Sequence, residues 1–162
     1  MRGKFKQAEE ALLLVNNDLY RADLCYVACL CKCFIMNGKP EKAWNRYSKV
    51  KNNDESMYVA QLIANECYRM GQFFYAAKAF DVLDKYDSKQ NFWEGKRGAC
   101  VGVFQEVVAM KHKKEKDFKS SLCSRQIKEI IRLLDNSGNH EAEYIQNKIK
   151  VWSMANGLNV LS

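Results

Sequence analysis

NGKPEKAWNRYSKV, residues 37–50, decides the fold. Gly38 closes one apolar run, and Pro40, the only proline among 162 residues, stands two positions on. Glycine is favoured just past a helix end and proline is tolerated only in a first turn, so the stretch reads as helix, tight turn, helix. Inside it Gly38, Ala43, Tyr47 and Val50 follow the spacing Gly-x4-Ala-x3-(aromatic or Leu)-x2-(Val or Leu). The same spacing returns at Gly3, Ala8, Leu12 and Val15, and again at Gly71, Ala76, Phe80 and Leu83. The three glycines are 35 and then 33 residues apart.

A period of about 34 residues is that of tetratricopeptide (TPR) helix pairs, which stack into a superhelix with a groove. The expected fold is all-α, a TPR-like helix-turn-helix solenoid of antiparallel pairs with a terminal capping helix. Apolar periodicity places helices at about residues 5–15, 20–36, 40–51, 55–70, 73–85, 91–110, 120–134 and 140–155. Residues 1–86 read as TPR-like repeats whose first unit lacks its first helix. Residues 87–162 read as a divergent helical repeat and cap in the same continuous solenoid. The whole is expected to be the C-terminal part of a longer array. Asn52, Asn53 and Asp54 offer a cap, as do Gly138 and Asn139 in the turn Asn136-Ser137-Gly138-Asn139.

Composition agrees: 48% of residues are hydrophobic, enough for a continuous core. No run of about 18 apolar residues is present, so no membrane insertion is expected. The start, MRGKFK, lacks a signal-peptide core, which points to a reducing compartment. Of seven cysteines, Cys25, Cys29, Cys31 and Cys33 crowd into nine residues, with Cys67, Cys100 and Cys123 elsewhere. Thiolates one helical turn apart can share a zinc ion, yet no Cys-x2-Cys pair exists and His112 and His140 are distant. Cysteine as a small packing residue is the reading adopted, with no metal or cofactor expected.

Gly95, Gly98 and Gly102 share one face of a helix, beside Ala99. A mid-helix glycine costs up to about 1 kcal/mol against alanine, so something must approach the backbone there. Two accounts are open: neighbouring helices fill the face, or it is a shallow recess for a partner. In a TPR unit the first helix lines the concave surface. That assigns Tyr58, Gln61, Asn65, Tyr68 and Arg69 to a candidate contact wall, continued in register by Gly95, Gly98, Ala99 and Gly102. Such a wall suits a helical or extended segment of another protein. An ordinary solvated face is the alternative.

The stretch QLIANECYRMGQFFYAAKAFDVLDKYD, residues 61–87, resembles the C-terminal repeats of the 56-kilodalton TPR subunit family of intraflagellar transport. FWEGKRGACVGVFQ, residues 92–105, is similar to that family's most distinctive block, and IIRLLDNSGNHEAEYIQNKIKVWSMANG, residues 130–157, to its last two helices. NGKPEKAWNRY adds weaker similarity. The resemblance implies a non-enzymatic scaffold of the intraflagellar transport B complex. Its partners would be other subunits of that complex, the 46-kilodalton core subunit above all, and ciliary cargo proteins. It also implies residence in the cilium or flagellum and basal body with a cytoplasmic pool, and transport of motility-related cargo.

Two other classes fit less well. The net charge of +7 and the cluster Lys111, Lys113, Lys114, Lys116 and Lys119 suggest nucleic acid. The cluster is a single loop interrupted by Glu115 and Asp117, and no base-reading pair recurs in each repeat, so nucleic acid is not an expected partner. No motif sets a nucleophile beside a base, so neither catalysis nor a small-molecule substrate is expected.

Overall fold

A computed structural model describes residues 2–50, 54–87, 92–113, 121–135 and 139–158. Among them are nine helices and no strand: α1 (Arg2–Leu13), α2 (Asp18–Ala22), α3 (Leu24–Met36), α4 (Pro40–Tyr47), α5 (Asp54–Arg69), α6 (Phe73–Tyr86), α7 (Trp93–His112), α8 (Ser121–Asp135) and α9 (His140–Ala155). The all-α helical-repeat solenoid is therefore the fold. α3 packs on α4 and α5 on α6, each joined by a tight turn, while α3 also lies against α5. α1 rests on α3 at one end, and α7, α8 and α9 follow one another from α6 at the other.

The turns are closed by one device used three times. Gly38, Gly71 and Gly157 have φ of 74°, 70° and 74°, a left-handed conformation that glycine adopts without strain. The N–H of the following residue then reaches back five positions: Lys39 to Phe34 O at 2.8 Å, Gln72 to Cys67 O at 2.8 Å and Leu158 to Ser153 O at 3.0 Å. Each glycine N–H bonds three positions back, completing a Schellman closure of the helix end. Pro40 opens α4, as proline should. Asn139 caps α9, its side chain accepting from Glu141 N at 2.9 Å.

Alanines let the pairs approach. Ala43, Ala60, Ala64, Ala76, Ala77 and Ala79 are completely buried, and Val59, Ile63, Ile127, Ile130 and Ile149 fill the spaces around them. One contiguous core runs from Val27 to Leu158.

Several expected boundaries move. The helix expected over 20–36 is split at Asp23, whose extended backbone (φ −63°, ψ 134°) lets its carboxylate cap α3 by accepting from Tyr26 N at 3.0 Å. Asn17 caps the short α2 in the same way. α1 ends at Leu13, short of Val15, and Gly3 lies within it without the left-handed turn of its counterparts. α4 stops at Tyr47 rather than near 51. α7 continues through Lys111 and His112, which had read as the start of a connection. The caps suggested at Asn52, Asn53 and Gly138 lie outside the described residues, as do Lys114, Lys116 and Lys119.

Candidate functional site

On α5, Tyr58, Gln61, Asn65, Tyr68 and Arg69 are all exposed while Val59, Ala60, Ile63, Ala64 and Cys67 are buried. The helical period thus separates an inner stripe from an outer polar and aromatic row. Tyr58 and Tyr68, at 69% and 43% exposure, are large apolar rings left open to solvent on that row. Arg69 is engaged with Glu66, which also pairs with Lys32 of α3 at 3.3 Å. Burial alone would raise the Glu66 carboxyl, but bonds to Arg69 and Lys32 hold it below its usual range.

Next to Tyr58 opens a cavity of about 1140 Å³ between α2, α3, α4 and α5. Arg21, Arg46 and Lys49 give it positive charge, and Asp18, Asp23 and Glu55 answer with negative. The Arg46 guanidinium donates to the Arg21 carbonyl and ties α4 to α2. Sequence periodicity did not reveal this cavity, because it exists only where the break at Asp23 turns α2 away from α3.

The glycines of α7 stand elsewhere than in an open recess. A Cβ on Gly95 would lie 2.5 Å from Phe80 Cε1, one on Gly98 2.7 Å from Tyr68 Oη, and one on Gly102 2.5 Å from Phe73 Cγ. Three rings of the preceding unit lie on bare α7 backbone, and they touch one another. Tyr68 meets Phe73 and Phe80 edge to face, at centroid distances of 5.5 and 6.3 Å. Ala99 is completely buried and Gly102 is buried too. Of the two accounts open for the face of Gly95, Gly98, Ala99 and Gly102, neighbouring helices fill it; the alternative, a recess for a partner, is corrected, because the face is filled from within. Their effect on the exposed row is indirect, through the position of Tyr68.

Between these glycines the sequence places Lys96, which is completely buried. Its ammonium lies 2.8 Å from Asp81 Oδ1 and 3.2 Å from Asp84 Oδ2, and Lys85 closes on Asp81 Oδ2 at 2.6 Å. A buried charge survives only when paired. This junction of α6 and α7 escaped the sequence reading, although Asp81, Asp84 and Lys85 at helical i, i+3, i+4 spacing were its visible half.

The cysteines divide. Cys31, Cys33, Cys67, Cys100 and Cys123 are buried, and burial pushes the thiols of Cys31, Cys67 and Cys100 up to about 12, where they remain protonated packing groups. Cys25 and Cys29 are exposed, so the packing account does not extend to them.

Stacked helix pairs with one outward polar and aromatic row are the build of a helical-repeat protein of the TPR-like class. More specifically, the chain belongs to the intraflagellar transport protein 56 family, whose sequence profile matches residues 1–161. It is 28% identical over 155 residues to the intraflagellar transport protein 56 homolog of Caenorhabditis elegans. That alignment covers 96% of this chain and 26% of the worm protein.

Proposed function

We propose that this segment is a non-enzymatic scaffold of the intraflagellar transport B complex, and that its α5 row is a docking face for another subunit. Family membership supports the setting. The observation that carries the docking role is the exposed row itself, in which Tyr58 and Tyr68 flank Gln61 and Asn65. Rings that hold apolar area with little rotamer freedom, beside amide groups, suit recognition of a helical or extended segment. The 46-kilodalton core subunit is the first partner to test. In this reading residues 1–86 supply the repeat surface, residues 87–162 close the solenoid, and the assembly serves train formation and carriage of motility-related cargo. Cilium, flagellum and basal body are its places of work, with a cytoplasmic pool.

The test is binding to reconstituted B-complex core subunits, with and without the 46-kilodalton one. A Tyr58→Glu, Gln61→Glu double variant changes only exposed positions, so its helical circular dichroism should match the parent. At an interface hot spot, loss of an anchor costs about 2 kcal/mol or more, roughly a thirtyfold weakening. Unchanged affinity would move the contact off α5. No binding by the well-folded parent would place the partner sites in the rest of the longer family polypeptide.

A further inference from the structure

The cavity of about 1140 Å³ beside Tyr58 has an apolar floor and a charged mouth. Val27 and Ala28 on its floor are buried, while Leu24 and Val50 are half-buried and pack against the core. Around the mouth stand Arg21, Arg46 and Lys49, with Asp18, Asp23 and Glu55. The ion pairs among the described residues lie elsewhere, as at Lys32 with Glu66, Lys39 with Glu9 and Arg97 with Glu141.

The two signs are not equally engaged. Asp23 caps α3, accepting from Tyr26 N at 3.0 Å. Asp18 and Glu55 sit in the first turns of α2 and α5, where carboxylates suit the positive end of a helix. Arg21 and Arg46 lie in last turns, which suits them too, but a guanidinium has donors to spare. Arg46 gives one bond, to the Arg21 carbonyl. Lys49 lies beyond the end of α4 and pairs with no carboxylate among the described residues. What stays unengaged is therefore mostly N–H donor capacity. The net charge of +7 adds a long-range pull on an acidic partner.

We propose that this cavity takes an acidic segment of a partner protein, with one apolar side chain seated on Leu24 and Val50 and flanking carboxylates held by Arg21, Arg46 and Lys49. Guanidinium groups meet carboxylates through paired N–H donors and so fix the orientation of the segment, while the apolar floor supplies contact area. Tyr58 belongs both to the cavity wall and to the α5 row, so the segment continues from the cavity along α5. This occupancy rests on the reading of that row as a docking face, and it adds the chemistry of what docks there.

The probe is a short synthetic peptide with glutamates on both sides of one leucine, beside an analogue with glutamine for every glutamate. Its position is read by alkylation and peptide mass spectrometry: Cys25 lines the cavity and is exposed, while Cys29, also exposed, lies outside it and serves as the reference. At about 1 mM, the acidic peptide should slow Cys25 labelling by about fivefold or more and leave Cys29 unchanged. Added salt should reverse the effect, since exposed charges are screened. Arg21→Glu with Lys49→Glu should abolish it at unchanged helical circular dichroism, because both side chains are exposed and Arg46 bonds only the Arg21 backbone. Arg21→Gln with Lys49→Gln, a milder pair, should weaken it in the same direction.

Equal protection by the glutamine analogue would overturn the proposal, as would protection that survives the charge reversal or none at all. A single-stranded oligonucleotide that shields Cys25 better than the peptide would overturn it as well, with nucleic acid as the occupant. Binding of the B-complex core subunits separates the cavity from the row, because Gln61 lies outside the cavity. Affinity lowered by Gln61→Glu yet untouched by the Arg21 and Lys49 reversal would keep the row and sink the cavity. The reverse pattern would uphold the cavity and remove the row.

Discussion

α5 and α7 hold matching places in the repeat register, yet one shows its outer row to solvent and the other is shut. On α5 the row is Tyr58, Gln61, Asn65 and Tyr68, all exposed. On α7 the matching row is Gly95, Ala99 and Gly102 with Gly98 beside them, and rings from α5 and α6 lie against it. The difference lies in the side chains. Where every residue carries a bulky side chain the neighbours must stand off, and where Cβ is missing a ring can lie on the backbone. Tyr68 belongs to both surfaces: its hydroxyl faces Gly98 while much of its ring stays open.

The largest break in that comparison should come from Lys96, which anchors the closed side. Lys96→Ala leaves the Asp81 carboxylate buried with Lys85 as its remaining partner. Removing one member of a buried pair costs about 3–5 kcal/mol, and Lys85 should hold the loss to about 3. In a domain of this size that lowers the melting temperature by roughly 6–12 °C. Replacing Asp81 by Asn in the same chain should recover part of it, because the stranded charge is gone. Thermal unfolding of both variants checks the pairing, and an additive loss would show that the charges do not act together.

Next in size are Gly95→Ala and Gly102→Ala. At Gly95 the new methyl would press on the far edge of the Phe80 ring, which is buried at 8% exposure and has no solvent to move into. At Gly102 it would press on Phe73 at Cγ, the root of its ring, which cannot swing aside as a ring tip can. Overpacking costs about 1–3 kcal/mol and the helix gains at most about 1, so a net loss of about 1–2 is expected. Denaturant midpoints measure it. A stabilised Gly102→Ala would mean that α7 is not held closely on α6.

The open side was the more legible in sequence. Tyr58, Gln61, Asn65, Tyr68 and Arg69 follow from a period of 3.6 residues, a local property of one helix, and all are exposed. The turns at Gly38 and Gly71 were legible for the same reason. The closed side was not, because a glycine stripe says only that something comes close. That the visitor is Phe80, Tyr68 and Phe73 depends on how three helices meet. Lys96 was hidden for a further reason: its type predicts exposure, and only the assembled α6 carboxylates reverse that. The break at Asp23 was missed because the apolar stripe passes through it while a single cap redirects the chain.

A smaller effect should appear in acid at α1. Glu9, 5% exposed, is bonded by Asn37 Nδ2 at 2.6 Å and by Lys39 Nζ at 2.7 Å, so it fastens α1 to the turn after α3. Burial alone would raise its carboxyl, but these two partners hold it below its ordinary value of 4.5. The folded-state value is thus the lower one. The stabilisation is complete above pH 4.5 and is lost as the pH falls through the depressed value. Hydrogen exchange of α1 amides should rise there before that of α5 and α6. Glu9→Gln should show faster α1 exchange already at neutral pH, without the acid step.

The smallest expected effect separates the two surfaces most sharply. A methyl on Gly98 meets only the tip of Tyr68, 2.7 Å from Oη, and Tyr68 is 43% exposed with solvent to move into. Gly98→Ala gains up to about 1 kcal/mol of helix propensity. Against that stands only the loss of one edge-to-face contact, about 0.5–1.5 kcal/mol, with Phe73 or Phe80. The stability change should therefore stay within about 0.5 kcal/mol, opposite in character to its neighbours Gly95 and Gly102. What should change is the exposed row, since the Tyr68 ring is pushed outward on α5. A subunit that docks on this row should bind Gly98→Ala with altered affinity at unaltered stability. A Gly98→Ala chain as destabilised as Gly102→Ala would instead mean that Tyr68 is locked into the closed side and contributes little to the open one.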